Sequence, residues 1–92
     1  MQASKETQKE LQKQQKIIQQ LEEKIAKLNK DRTDLEAAMA DPAIYADKNK
    51  FLKVEHDYKQ IDQELLRLGK QYEEIFEKII DLQSIGNTEH LS

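Results

Sequence analysis

Apolar residues recur along this chain at alternating spacings of three and four, and they do so in two separate runs. In the first, Leu11, Ile18, Ile25 and Met39 share one heptad position with Arg32 filling the gap, while Leu21, Leu28 and Leu35 share the interleaved position with Gln14 ahead of them. In the second, Phe51, Tyr58, Leu65, Tyr72 and Ile79 form one row and Val54, Ile61, Leu68, Ile75 and Leu82 the other, with no polar break. Seams of this kind predict helices that bury one stripe against a partner. At a rise of about 1.5 Å per residue, each arm would be roughly 50 Å long.

Only the stretch from Met39 to Phe51 departs from the pattern. Asp41 before Pro42 reads as an N-cap followed by proline at the first helical position, which predicts a single turn through Ala43 to Tyr45. Asp47 then reads as the N-cap of the second arm. The two seams also match each other. Where a chain folds back on itself, facing residues share one constant sum of their numbers. Leu35 with Tyr58, Leu28 with Leu65, Ile25 with Leu68, Ile18 with Ile75 and Leu11 with Leu82 all satisfy the same one. A parallel dimer of one continuous helix would have no use for Pro42 at its middle.

The pattern therefore predicts an all-α fold: two long helices, about 7–40 and about 48–84, in an intramolecular antiparallel coiled-coil hairpin with a short helical turn at the corner, 41–47. The coiled-coil domain would span 7–85, after a flexible linker over 1–6. Gly86 would stop the second helix and leave 86–92 as a disordered tail. An isolated chain of this design is expected to be monomeric.

Composition narrows the function. With 36% charged and 5% aromatic residues in 92, there is little material for a broad globular core, and a coiled coil suits the chain better. The absence of cysteine excludes a disulfide framework or thiolate zinc site. No apolar run approaches the ~20 residues of a membrane span, and the polar start has no signal-peptide core, so a cytoplasmic protein with no membrane partner is expected. A net charge of −3 argues against coating nucleic acid by bulk charge and leaves a local basic face as the alternative.

Catalytic and metal-binding patterns are missing. Gly69 and Gly86 stand alone and make no phosphate loop, and no nucleophile has a base beside it. Gly69 reads as a tolerated defect within a helix. His56 falls on an outer face and His90 in a polar tail, too far apart to suggest a metal pair. The carboxylates read as solubilising charge on solvated helices. The chain is expected not to be an enzyme, with no cofactor in this fragment.

Charge is sorted along the arms. Lys9, Lys13, Lys16, Lys27 and Lys30 form an outward stripe on the first, but Glu73, Glu74, Glu77 and Asp81 of the second lie alongside its far end, and fields of opposite sign cancel within a Debye length of ~8–10 Å. The net basic candidates are therefore nearer the corner: Lys27, Lys30, Lys53, Lys59 and Arg67. At the seam, Arg32 is expected opposite Ile61, with its head turned toward Asp57 or Glu64 and its stem covering the core. Asp31 should lie near Glu64 and Glu36 near Glu55, both unfavourable pairs. Ile17 and Phe76 lie off the strict seam and are expected to widen the core, while Ile80, Ile44 and Tyr45 are candidates for docking another protein domain.

From "LEEKIAKLNKDRTDLEAAMADPAIYADKNKF" through "QYEEIFEKI", the chain resembles the C-terminal coiled-coil domain of Uup-type ABC-F ATPases, most distinctively at the corner residues Asp41, Pro42, Tyr45, Ala46 and Asp47 and in its matched arms. That resemblance implies a fragment of a soluble ATPase whose two nucleotide-binding domains, with their ATP and magnesium, lie upstream. It also implies a weak contact with nucleic acid, DNA or ribosomal RNA, in proteins that work on ribosomes or DNA. Family members are often richly basic in this domain, whereas this chain is acidic. The "DP…DKNKF…EHDYKQI" pattern is similar as well to the N-terminal helical domain of peptide chain release factors, where the first arm is usually shorter. Two classes of function stand open: a phosphate-contacting module without base specificity, and a structural hairpin that spaces or docks protein domains.

Overall fold

The computed structural model describes residues 5–91, with side chains described for 5–84. Three helices follow in order: α1 (Lys5–Met39), α2 (Pro42–Tyr45) and α3 (Lys48–Leu91). The fold is all-α, two long helices joined through a short helical corner as an antiparallel hairpin. α1 contains neither glycine nor proline and is rich in Lys, Glu, Gln, Leu and Ala, whose side chains lose little freedom in a helix.

Both ends differ from the sequence expectation. α1 already starts at Lys5, with Glu6 in its first turn complementing the positive end of the helix dipole. The rest of the expected linker, residues 1–4, lies outside the described residues. α3 passes through Gly86 to Leu91, so the expected stop and disordered tail are corrected up to that point, and Ser92 lies outside the described residues. A lone glycine costs a helix about 1 kcal/mol relative to alanine, and it ends one by turning left-handed. No glycine among the described residues has a positive φ.

The corner is built by two aspartates. Asp41 sits in extended conformation (φ −79°, ψ 123°) and its carboxylate accepts the Ala43 N–H at 2.9 Å, with Pro42 next to it where no N–H is needed. Asp47 Oδ1 accepts from the Asn49 and Lys50 N–H groups at 3.1 and 3.3 Å and opens α3. α2 is thus held between two N-caps, and the chain reverses without any positive φ outside glycine.

The hairpin divides into two compact units. Unit 1 pairs the start of α1, through Glu23, with α3 from Lys70 onward. Its buried residues, Gln14, Leu21 and Ile79, all occupy seam positions. Gln14 Nε2 donates to Glu10 at 2.6 Å, but its buried Oε1 has no donor among the described residues. The Tyr72 hydroxyl crosses the helix pair to donate to Glu22 at 3.0 Å, which ties α1 to α3 here and raises the Tyr72 pKa, since ionising the phenol would forfeit that hydrogen bond. Phe76 stacks on Tyr72 at 6.3 Å between ring centroids, yet it remains 48% exposed. It extends the aromatic contact more than it widens the core.

Unit 2, Lys24 to Gly69, contains the corner. Leu68 is its most buried apolar residue, at 3% exposure. Arg32 departs from expectation here. Its Nε lies 3.1 Å from Asp62, and Nε and Nη2 both donate to the Tyr58 hydroxyl, at 3.2 and 3.0 Å. The Tyr58 hydroxyl in turn donates to Glu36 at 3.3 Å. The guanidinium carbon also sits 5.3 Å from the Tyr58 ring centroid, in cation–π range. Asp57 and Glu64, the expected partners, receive nothing from Arg32. Tyr58 decides the outcome: it offers an acceptor oxygen and an aromatic face on the same side as Asp62. This phenol bond and then Asp62 hold the guanidinium pKa above its ordinary value. The unfavourable approach expected of Glu36 to Glu55 is relieved because each carboxylate takes a cation of its own, Arg32 and Lys59.

Candidate nucleic-acid interface

All five basic residues singled out from the sequence fall within unit 2 and are exposed. They are not equivalent. Lys59 Nζ is 3.3 Å from Glu55, one turn earlier on α3. Arg67 makes two hydrogen bonds to Glu64, one of them from Nε at 3.1 Å. That fork raises the Arg67 pKa and holds the Glu64 carboxyl below its usual value. An arginine already engaged through both bonds must break them to grip a phosphate.

Lys27, Lys30 and Lys53 have no ion-pair partner among the described residues. Lys27 and Lys30 stand three apart on α1, which makes them surface neighbours about 5–6 Å apart at Cβ. Lys53 lies in the second turn of α3, beside the corner. The level of Lys53 on α1 is some ten residues from Lys30, or about 15 Å along the axis. The three therefore provide two separate points of contact.

Two further lysines belong with Lys53. Lys48 and Lys50 occupy the first turn of α3, which holds no acidic residue. Cations at the positive end of a helix dipole are unfavourable, so Lys48, Lys50 and Lys53 concentrate positive potential at the corner. Asp47 is nearby, but its carboxylate is engaged with the Asn49 and Lys50 N–H groups. Outward helix faces alone do not single out these two residues. The signal was present: a helix whose N-cap is followed by Lys-Asn-Lys reverses the usual charge preference.

Charge differs between the units. Unit 2 carries nine basic and nine acidic side chains, whereas unit 1 carries six basic against nine acidic. Lysines of unit 1 thus act in a net negative field, whereas unit 2 is balanced overall and offers a polyanion its locally unpaired lysines rather than a net charge.

The surface offers little for base recognition. Tyr45 is the most exposed aromatic residue, at 57%, and stands alone at the corner. Tyr58 is engaged with Arg32 and Glu36, and Tyr72 with Glu22. No cluster of three metal-ligating side chains occurs among the described residues, and none of their helices is long and apolar enough to cross a membrane. ATP with magnesium does not fit the residues present, because neither isolated glycine opens a phosphate-cradling loop.

Comparison with known proteins found no match among curated proteins and none among solved structures. The family model of the ABC transporter C-terminal domain does match, over residues 4–77, taking in all of α1, the Asp41–Asp47 corner and much of α3. On that match the chain belongs to the ABC transporter C-terminal domain family.

Proposed function

We propose that this chain is the C-terminal coiled-coil appendage of a cytoplasmic, Uup-type ABC-F ATPase and that it holds nucleic acid by phosphate contacts without reading bases. Membership of the wider family supports the appendage role. The observation that carries the nucleic-acid reading is the group of exposed lysines without carboxylate partners in unit 2, Lys27, Lys30 and Lys53, joined by Lys48 and Lys50 at the corner. Lysine is suited to this role as a flexible point charge that follows an irregular backbone. Lys59 and Arg67 contribute after giving up Glu55 and Glu64. Catalysis, with ATP and magnesium, belongs to domains outside this sequence. The release-factor alternative gains nothing from the family match.

The test is fluorescence anisotropy with labelled duplex DNA and with a ribosomal RNA fragment at two salt concentrations. Weak binding that falls steeply with salt is expected, with a log–log slope of about −0.9 per phosphate neutralised on duplex DNA. A folded chain that binds neither at low salt would favour the second reading, a hairpin that docks protein domains. That reading draws on the exposure of Tyr45 (57%) and Ile80 (45%). Ile44, its third candidate, is half-buried.

A further inference from the structure

The crossed link between Tyr58 and Glu36 in unit 2 has a counterpart in unit 1. Two heptads further along α3 stands Tyr72, and two heptads back along α1 stands Glu22. Their hydroxyl and carboxylate meet at 3.0 Å, against 3.3 Å for Tyr58 and Glu36. The same shift carries Arg32 to Ile18 and Asp62 to Phe76. In unit 2 the Arg32 guanidinium lies 5.3 Å from the Tyr58 ring centroid and donates to the phenol oxygen, with Asp62 and Glu36 beside it. Unit 1 keeps the phenol and the crossing carboxylate and lacks the arginine. In the place of Asp62 it has a second ring. Phe76 stacks on Tyr72 with 6.3 Å between centroids and planes 7° apart, and 48% of it is exposed.

No residue on this face supplies the missing cation. With the rows of Leu11 and Phe51 counted as heptad position a, the face is made of b and e positions. Those of α1 from Gln8 onward are all glutamine until Glu22, and those of α3 are Glu73, Phe76, Ile80 and Gln83. Lys70 stands one turn before Glu73 and offsets it. Glu22 has no lysine or arginine three or four residues away on α1, and no ion-pair partner among the described residues. The hydrogen bond it accepts comes from a neutral phenol and leaves its charge in place.

An exposed ring pair beside an unbalanced carboxylate suits a planar cation. Guanidinium stacks on an aromatic face and forks onto a carboxylate, as Arg32 shows within this same chain. A neutral apolar side chain would cover Phe76 but strip water from Glu22. A polyanion would meet a unit with six basic and nine acidic side chains. A second copy is a poor donor, because its two arginines, Arg32 and Arg67, are already held by Asp62 and Glu64. We propose that Glu22, Tyr72 and Phe76 seat an arginine of a partner protein, its guanidinium lying on the exposed face of Phe76 and pairing with Glu22. Ile80, one turn beyond Phe76 and 45% exposed, takes a leucine-like side chain one helical turn from that arginine. The seat lies wholly in unit 1 and does not depend on the lysine contacts described above.

The test follows backbone amide shifts of the isotope-labelled whole chain as the peptide Ala-Ala-Leu-Ala-Ala-Ala-Arg-Ala-Ala-Ala-Leu-Ala-Ala is added, with leucine one turn to either side of its arginine. Saturable shifts at Glu22, Tyr72 and Phe76 are expected, with Tyr58 unmoved because Arg32 already fills its place. Affinity should fall about fivefold in Glu22→Gln, the scale of one exposed ion pair, while the amide still accepts from Tyr72. It should fall about threefold or more in Phe76→Ser through the lost stacking. Lysine in place of the peptide's arginine should weaken binding about threefold, and glutamine should abolish it. Unchanged amide shifts in unit 2 show that each variant is folded. No saturable shifts, equal shifts at Tyr58, or equal affinity for either variant or for the glutamine or lysine peptide would overturn the proposal. So would the same shifts on concentrating the chain alone, which would make a second copy the occupant, or on adding duplex DNA, which would assign the face to nucleic acid.

Discussion

The Arg32 guanidinium stands 3.1 Å from the Asp62 carboxylate, a polar link set in a stretch of seam that is otherwise apolar within unit 2. Tyr58 accepts two further bonds from the same arginine and passes the contact to Glu36. Because the site is well exposed, the link contributes more to register than to raw stability. Only one alignment of the helices brings all four side chains together.

Arg32→Ala is accordingly expected to lower the melting temperature, and Asp62→Asn to lower it by less. Together they should cost less than the two separate losses, since each removes the same contact. Asp57→Asn should cost nothing or stabilise slightly, as Asp57 takes no cation. Thermal melts by circular dichroism check this, and a loss at Asp57→Asn matching that at Asp62→Asn would contradict the contact.

Leu68 and its neighbour Gly69 should respond in opposite directions. Leu68 is 3% exposed at the seam, so Leu68→Ala should cost about 2–4 kcal/mol through lost burial and the space left behind. A Cβ built on Gly69 meets nothing within 4 Å, and its φ is negative. Gly69→Ala should therefore stabilise by about 0.5–1 kcal/mol, because alanine restricts the unfolded chain more than glycine. Urea unfolding with an unchanged slope is the measurement. Loss of stability at Gly69→Ala would mean that α3 is not regular there.

Much of this architecture was legible because heptad spacing and capping are local signals. The buried residues Gln14, Leu21, Leu68 and Ile79 all lie on the seam rows, and Asp41, Pro42 and Asp47 perform the roles their types suggest. What was not legible depended on side-chain choice among several possible partners. Arg32 had carboxylates on both edges, and the deciding element was a phenol 26 residues away. Likewise Lys59 and Arg67 looked as free as Lys27 until rotamers placed them on Glu55 and Glu64. Gly86 carried a stop signal that α3 does not use.

Acid should weaken unit 2 through Glu64. Its carboxyl is held below its usual value chiefly by the Arg67 fork. A depressed folded pKa stabilises above the unfolded value, near 4.5, and that stabilisation disappears as pH falls through the folded value. Glu64→Gln should thus flatten the fall in melting temperature below that pH, with the difference shrinking in high salt, because the pair is exposed. An unchanged acid limb in the variant would show that the fork does not persist in solution.

The most direct measurement of the nucleic-acid reading is the affinity of the Lys27→Glu/Lys30→Glu/Lys53→Glu variant for labelled duplex DNA at low salt, beside a Lys9→Glu/Lys13→Glu control. All five lysines are exposed and off the seam, so both variants should keep their helicity. The account predicts that the triple reversal abolishes binding and that the control, made in the net acidic unit, changes it little. Binding that survives the triple reversal, or that falls equally in the control, would contradict it.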